Sequence, residues 1–132
     1  MKRMLIFVLA LTLLVSFCSC DIYTSSYRAI GLVRSQTAHS CQTSFFSLDG
    51  RLVFRVKKSG KGTEGDIGYS VQVDEGELYL YYAVHGTKTE LANVKAGESV
   101  TSRGGYVEGG HAVYIIIETA QKSKGKVSVE LD

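Results

Sequence analysis

The sequence predicts an all-β fold, a single antiparallel β-sandwich of about eight short strands. Apolar and polar residues alternate with a period of two along much of the chain, which is typical of strands with one buried face. Turn signals recur at intervals of roughly 8 to 12 residues, as in sandwiches and barrels. Proline is absent and all fourteen glycines lie beyond residue 20, so glycine is expected to supply the turns.

The clearest predicted unit is a hairpin over residues 67–84, with a two-residue turn at Glu75-Gly76. In this register Val73 faces Leu78, and the pairs 71/80, 69/82 and 67/84 continue one apolar face. A slip of one residue would place the apolar side chains opposite polar ones. The hydrophobic pattern therefore sets the pairing of the two halves.

Two further turns complete the main predicted strands. Asp49-Gly50 is a strong hairpin signal, with Phe45 opposite Phe54. A turn over residues 122–125 separates a central strand at residues 112–117 from an alternating edge strand at residues 127–131. Weaker strands are predicted near residues 27–33, 87–94 and 98–103.

The first nineteen residues have the organisation of an export signal. Lys2 and Arg3 precede an apolar run over residues 4–17, and small residues follow near its end. The run is shorter than the roughly 20 residues that a transmembrane helix needs, and the chain becomes polar directly after Cys20. We therefore expect a signal peptide over residues 1–19.

The segment Phe17-Cys18-Ser19-Cys20 resembles the lipobox of bacterial lipoproteins. Ser19 matches the small residue of that pattern, whereas Phe17 stands where leucine is usual and Cys18 is an uncommon middle residue. The resemblance implies that Cys20 carries lipid. We then expect residues 20–26 to form a lipidated stem and residues 27–132 to form the β-sandwich domain. The resemblance also implies export and membrane anchoring in the bacterial cell envelope. The alternative is an ordinary signal peptide cut near the same place.

The charge of the exported chain disfavours nucleic acid as a partner. Loss of Lys2 and Arg3 with the signal leaves thirteen Lys and Arg against thirteen Asp and Glu. The longest basic block is Lys57-Lys58, so no basic tail or patch is visible in the sequence.

The cysteines leave two alternatives open. If Cys20 carries lipid, Cys41 is the remaining thiol and no disulfide forms within the chain. If Cys20 is retained without lipid, a bridge between Cys20 and Cys41 becomes feasible in an oxidising compartment. A nucleophilic Cys41 would need a base, for which His39 is the nearby candidate, and a buried or bridged cysteine is the simpler expectation.

No motif nominates a catalytic, cofactor or metal site. Residues 60–65 match G-x-G-x-x-G, but a strand follows where a dinucleotide site needs a helix. His39, His85 and His111 lack zinc-site spacing. No catalytic triad is evident, so we expect a protein that is not an enzyme and that carries neither a cofactor nor a metal.

Tyrosine is the remaining chemical signal, with eight in the chain and no tryptophan. The predicted hairpin places Tyr79 and Tyr81 beside Ser70 and Gln72 on the face opposite the core. Phenol rings next to hydroxyl and amide groups can stack on sugar rings, so we expect these four residues to bind a glycan or cell-wall polymer. The alternatives are that another sheet or loop covers this face, and that the protein is an interaction subunit or inhibitor in the cell envelope.

Overall fold

The structure, a computed structural model, describes residues 23–60 and 63–131 and confirms the all-β sandwich. The predicted signal peptide, the lipobox and Cys20 lie outside the described residues. Within these ranges no helix is long and apolar enough to cross a membrane. The described strands are β1 (Ser26–Ile30), β2 (Val33–Gln36), β3 (Ser40–Lys57), β4 (Glu64–Val84), β5 (Thr87–Lys95), β6 (Ser99–Glu108) and β7 (Ala112–Glu130).

Three long antiparallel strands form the centre of the fold, in the order β3-β7-β4. Each bends near its middle, and the bends coincide with breaks in the pairing register. Layer 1 contains β1, residues 48–57 of β3, residues 112–119 of β7, residues 77–84 of β4, and β5. Layer 2 contains β2, residues 40–45 of β3, residues 123–130 of β7, residues 64–73 of β4, and β6.

The core lies between the two layers. Along β3 the buried side chains are odd-numbered up to Phe45 and even-numbered from Leu48. The same change occurs in β4, between Val73 and Leu78. Inward side chains from both layers form one apolar cluster, whose members include Phe54, Ile67, Leu80, Ile115, Ile117 and Val129.

The three predicted turns are wrong as hairpin turns, because each lies within one continuous strand. Asp49-Gly50 lies in β3, Glu75-Gly76 in β4, and residues 122–125 in β7. The two halves of β4 lie in different layers: Val71 pairs with Val127 and Val100, and Leu80 pairs with Ile117 and Ala92. Val73 and Leu78 both point into the core, as predicted, but from opposite layers. Residues 23–60 and 63–131 therefore form seven strands, three of them long, rather than about eight short ones.

Close backbone packing explains the glycines at the bends. A Cβ atom on Gly76, whose φ is 88°, would overlap Ser123 Oγ and lie 2.6 Å from the Lys122 carbonyl oxygen. Gly50 likewise abuts the backbone of β1, and Gly125 that of Gln72. Glycine is the residue that permits such approach at a sheet corner.

Two hydroxyl groups make hydrogen bonds where the bends interrupt the ladders. Thr119 Oγ1 accepts from Gly50 N at 2.8 Å and lies 3.2 Å from Gly50 O. Ser123 Oγ accepts from Glu77 N at 3.1 Å and can donate to Gln121 O at 2.7 Å. Ser123 is 2% exposed, so without such bonds its hydroxyl would be buried without a partner.

Side chains close both open edges of the sandwich. At the β5/β6 edge, Tyr69 of layer 2 donates to Leu91 O of β5 at 3.1 Å, and Tyr82 of layer 1 accepts from Tyr106 N of β6 at 3.2 Å. Leu91 and Tyr106 both lie at irregularities in their ladders. At the opposite edge, Arg34 of β2 donates to Val53 O of β3 at 3.2 Å.

Cys41 is part of the core, with 3% of its surface exposed. Burial raises the pKa of its thiol to about 12, although the positive charge of Arg34 acts in the opposite direction. Cys20, the other member of the alternative Cys20–Cys41 bridge, lies outside the described residues. A high thiol pKa disfavours a nucleophilic role for Cys41.

Gly76→Ala should lower the free energy of unfolding by about 3 kcal/mol, through the positive φ together with steric overlap. Gly97→Ala is the matched control, since Gly97 has a φ of 82° but no atom within 4 Å of an added Cβ. Gly97→Ala should lower the free energy of unfolding by only about 1 kcal/mol. Chemical denaturation measures both, and equal losses would contradict the proposed role of close packing at the bend.

The thiol of Cys41 should resist alkylation in the native chain at pH 8. A rise in pKa from 9 to about 12 lowers the thiolate fraction about a thousandfold, and burial blocks access of the reagent. In a Cys20→Ser background, mass spectrometry should show modification of Cys41 only after denaturant is added. Rapid labelling of the folded chain would contradict this placement.

Candidate functional site

Tyr79 and Tyr81 lie together on the outer surface of layer 1, which we call the tyrosine face. Its side chains form rows across the strands. One row runs Arg51, Glu118, Tyr79 and Asn93, and the next runs Val53, Ile116, Tyr81 and Glu90. The prediction that both tyrosines point away from the core is confirmed, since both are half-buried on this outer surface.

The two phenol rings form a stacked pair. Their centroids are 6.0 Å apart and their planes differ by 16°. The ammonium group of Lys88 lies 4.1 Å from the centroid of Tyr81 and 2.6 Å from Glu118 Oε1. Lys88 pairs with Ala83, which follows Tyr81 by two residues on β4. Lys88 therefore lies on the side of Tyr81 that faces away from Tyr79. Tyr81 is therefore held between Tyr79 and a paired cation, and Tyr79 is the outer ring of the pair.

Carboxylate and amide groups surround the rings. Asn93 Nδ2 donates to Glu77 Oε2 at 2.9 Å. The negative charge of Glu77 is the main cause that raises the pKa of Tyr79, whereas partial desolvation followed by the charge of Glu118 raises that of Tyr81. Both phenols therefore stay protonated at neutral pH. The tyrosine face can stack on a ring and both donate and accept hydrogen bonds.

Ser70 and Gln72 do not join the two tyrosines. Both are exposed on the outer surface of layer 2, because β4 bends between Gln72 and Tyr79. Ser70 lies 3.1 Å from Thr101 Oγ1 in a shallow, hydroxyl-rich groove of about 380 Å³. The prediction that these four residues lie side by side is wrong, because it depended on the hairpin over residues 67–84.

Two further tyrosines, Tyr23 and Tyr114, pack against each other. Tyr114 extends the tyrosine face, where the ring of Tyr23 packs against it at 5.6 Å. The Tyr23 hydroxyl lies 3.4 Å from Gly86 O. Residues 23–26 of the predicted stem therefore contact the domain directly, with β1 beginning at Ser26.

A second groove, not predicted from the sequence, opens at the β5/β6 edge with a volume of about 250 Å³. Tyr82 and Tyr106 line it together with threonines, His85 and Glu108. The Tyr106 hydroxyl donates to Glu64, which raises the pKa of this phenol. The sequence feature that could have indicated this groove is the Gly104-Gly105 pair. A Cβ on Gly105 would lie 2.8 Å from the Tyr82 ring, so glycine there allows the ring to pack against the backbone.

The histidines show no metal site in the structure. The rings of His85 and His111 meet edge to face at 5.1 Å, and His111 lies 3.7 Å from Glu108. His39 contacts Lys57 O through Nδ1 at 2.6 Å. Across residues 23–60 and 63–131, no group of three or more His, Cys, Asp or Glu residues is arranged to hold a metal ion.

Comparisons with known proteins do not place the chain in a family. No family model matches it, and no curated protein matches it. Among solved structures it is similar to a cupin-2 domain protein from Shewanella frigidimarina, at 14% identity and a TM-score of 0.34, over 90% of this chain and 92% of that one. A mutant family 29 carbohydrate-binding module complexed with mannohexaose has 13% identity and a TM-score of 0.40, over 81% and 77%. A conserved protein of unknown function from Streptococcus pyogenes has 13% identity and a TM-score of 0.33, over 85% and 78%. With TM-scores below 0.5, these similarities carry no conclusion about the function of this chain.

Proposed function

We propose that this protein is an exported, non-catalytic β-sandwich that binds a glycan through its tyrosine face. The observation that carries the proposal is the stacked Tyr79–Tyr81 pair on the outer surface of layer 1. Aromatic rings with hydrogen-bonding groups around them can hold a sugar through its apolar ring face and its hydroxyls.

The ring of Tyr79 is the proposed stacking surface. Tyr81 supports it from behind, since the Lys88 ammonium group lies over the Tyr81 ring and is itself paired with Glu118. Such support fixes the orientation of Tyr79 before a ligand arrives, which lowers the entropy lost on binding. The same arrangement predicts a larger contribution from Tyr79 than from Tyr81.

The charges around the rings favour a neutral sugar. Glu77, Glu90 and Glu118 lie near the tyrosine pair, and Lys88 and Arg51 both pair with Glu118. Carboxylates accept hydrogen bonds from sugar hydroxyls and repel uronate or phosphate groups. We therefore propose neutral cell-wall glycans as the ligand class.

Tyr79→Ala should weaken binding to a neutral oligosaccharide by at least about tenfold, or ~1.4 kcal/mol. The reason is loss of the stacking ring, while the apolar core behind it is unchanged. Screening the chain from residue 21 onward against glycan and cell-wall fragments identifies the ligand, and calorimetry then measures the variant. Unchanged affinity in Tyr79→Ala would reject the tyrosine face as the site.

A Ser70→Ala, Gln72→Ala variant is the matched control, because these residues share β4 with the tyrosines but lie on layer 2. We expect it to bind as the wild type does. Loss of binding in this control, with Tyr79→Ala unaffected, would move the site to the groove of layer 2.

We also propose that the chain is a lipoprotein anchored through Cys20 in a bacterial cell envelope. The signal-like residues 1–19 and the lipobox resemblance support this. The role of an envelope interaction subunit or inhibitor stays the alternative prediction.

Cys20→Ser should abolish incorporation of a labelled fatty acid into the chain and release the protein from the membrane fraction. An inhibitor of lipoprotein signal peptidase should leave the wild type as a longer precursor. Cys41→Ala is the control and should remain labelled. Normal processing in the presence of the inhibitor would contradict lipidation.

A further inference from the structure

The charges of this chain are segregated between the two sides of the sandwich. Residues 23–60, which form β1, β2 and β3, contain six Lys and Arg but one Asp. Residues 63–111, which form β4, β5 and β6, contain three Lys and Arg against eight Asp and Glu. Because β1 and β2 flank β3 at one edge, whereas β5 and β6 flank β4 at the other, a nearly neutral chain has one basic edge and one acidic edge.

The basic edge also carries exposed apolar side chains. Phe46, Ile30 and Val33 are 64%, 63% and 62% exposed, which is unusual for large apolar residues of a folded domain. They are neighbours: Ile30 pairs with Ser47, Val33 pairs with Ser44, and the connection at Gly31 packs against Phe46. The Lys124 ammonium group lies 4.6 Å from the Phe46 ring centroid.

Two hollows flank this apolar cluster, and cations predominate in them. One, of about 350 Å³, contains Lys124 and Lys126 with Asp74. The other, of about 290 Å³, contains Arg28 and Lys122 with Asp49. Apolar tips surrounded by lysine and arginine are the arrangement that binds a lipid interface through burial and charge together.

The residues before β1 run beside β3. Thr24 O accepts from Arg51 Nε at 3.1 Å, and Ser25 Oγ accepts from Val53 N at 2.9 Å. Cys20 precedes Tyr23 by three residues, a span of at most about 11 Å. Tyr23 itself packs against Tyr114 and lies 3.4 Å from Gly86 O, so the basic edge is distinguished by its charges and apolar side chains and not by the position of Cys20.

We propose that the basic edge docks on an anionic lipid surface, with Phe46, Ile30 and Val33 inserted among the headgroups. Positive charge alone would also fit a soluble polyanion, but a polyanion gives no free-energy gain for three exposed apolar side chains. This contact is separate from the glycan proposal and does not require the acyl chain. The acidic edge and its groove would then face away from the membrane.

The test uses the chain from residue 20 onward with Cys20→Ser, so that no acyl chain contributes. Since the chain contains no tryptophan, Phe46→Trp provides a single fluorescent reporter on the basic edge, and Tyr106→Trp provides one on the acidic edge. With vesicles of phosphatidylcholine and phosphatidylglycerol we expect a blue shift for Phe46→Trp and none for Tyr106→Trp. Vesicles of phosphatidylcholine alone should give no shift.

Charge reversal separates docking from general attraction. Lys124→Glu, at the ammonium group beside the Phe46 ring, should weaken vesicle binding about thirtyfold, because attraction becomes repulsion. Lys95→Glu makes the same change on β5 and should have little effect. Equal effects of the two reversals, a shift in Tyr106→Trp, or binding to heparin but not to vesicles would each overturn the proposal.

Discussion

The fold depends on the corner at which three adjacent long strands bend together. At that corner a Cβ on Gly50 would overlap the backbone of β1, one on Gly76 the backbone of β7, and one on Gly125 the backbone of β4. The hydroxyls of Thr119 and Ser123 make hydrogen bonds where the register breaks. Without this corner the two halves of each long strand could not face each other, so the two-layer core exists because the backbone can turn here.

Once the strands bend together, the edges of the two layers come close and are joined by side chains. Tyr69 and Tyr82 link the layers at the β5/β6 edge, and Arg34 links them at the β2/β3 edge. These bonds use backbone groups at edges and bulges that would otherwise lack ladder partners. The two layers of the described strands are thereby joined at both edges.

The bend also places residues that are close in sequence on different surfaces of the domain. Tyr79 and Gln72 are seven residues apart on one strand, yet they lie on opposite outer surfaces. Stacking groups are concentrated on layer 1, hydroxyl groups on layer 2, and opposite charges on the two edges. A glycan on the tyrosine face and a lipid surface at the basic edge would therefore contact the domain from different sides.

The sequence by itself determined the all-β class, the inward side chains and the outward position of Tyr79 and Tyr81. Burial follows a period of two, which is visible in the chain, and Val73 and Leu78 both face the core in a hairpin and in a bent strand alike. For that reason the pattern could not show whether residues 67–84 fold back on themselves or cross from one layer to the other. Tertiary pairing decided this, because each half of β4 is hydrogen-bonded to β7 and to a different outer strand. The separation of Ser70 and Gln72 from the tyrosines, the groove at Tyr82 and Tyr106, and the basic edge all follow from that choice of partners, which depends on contacts between residues distant in the chain.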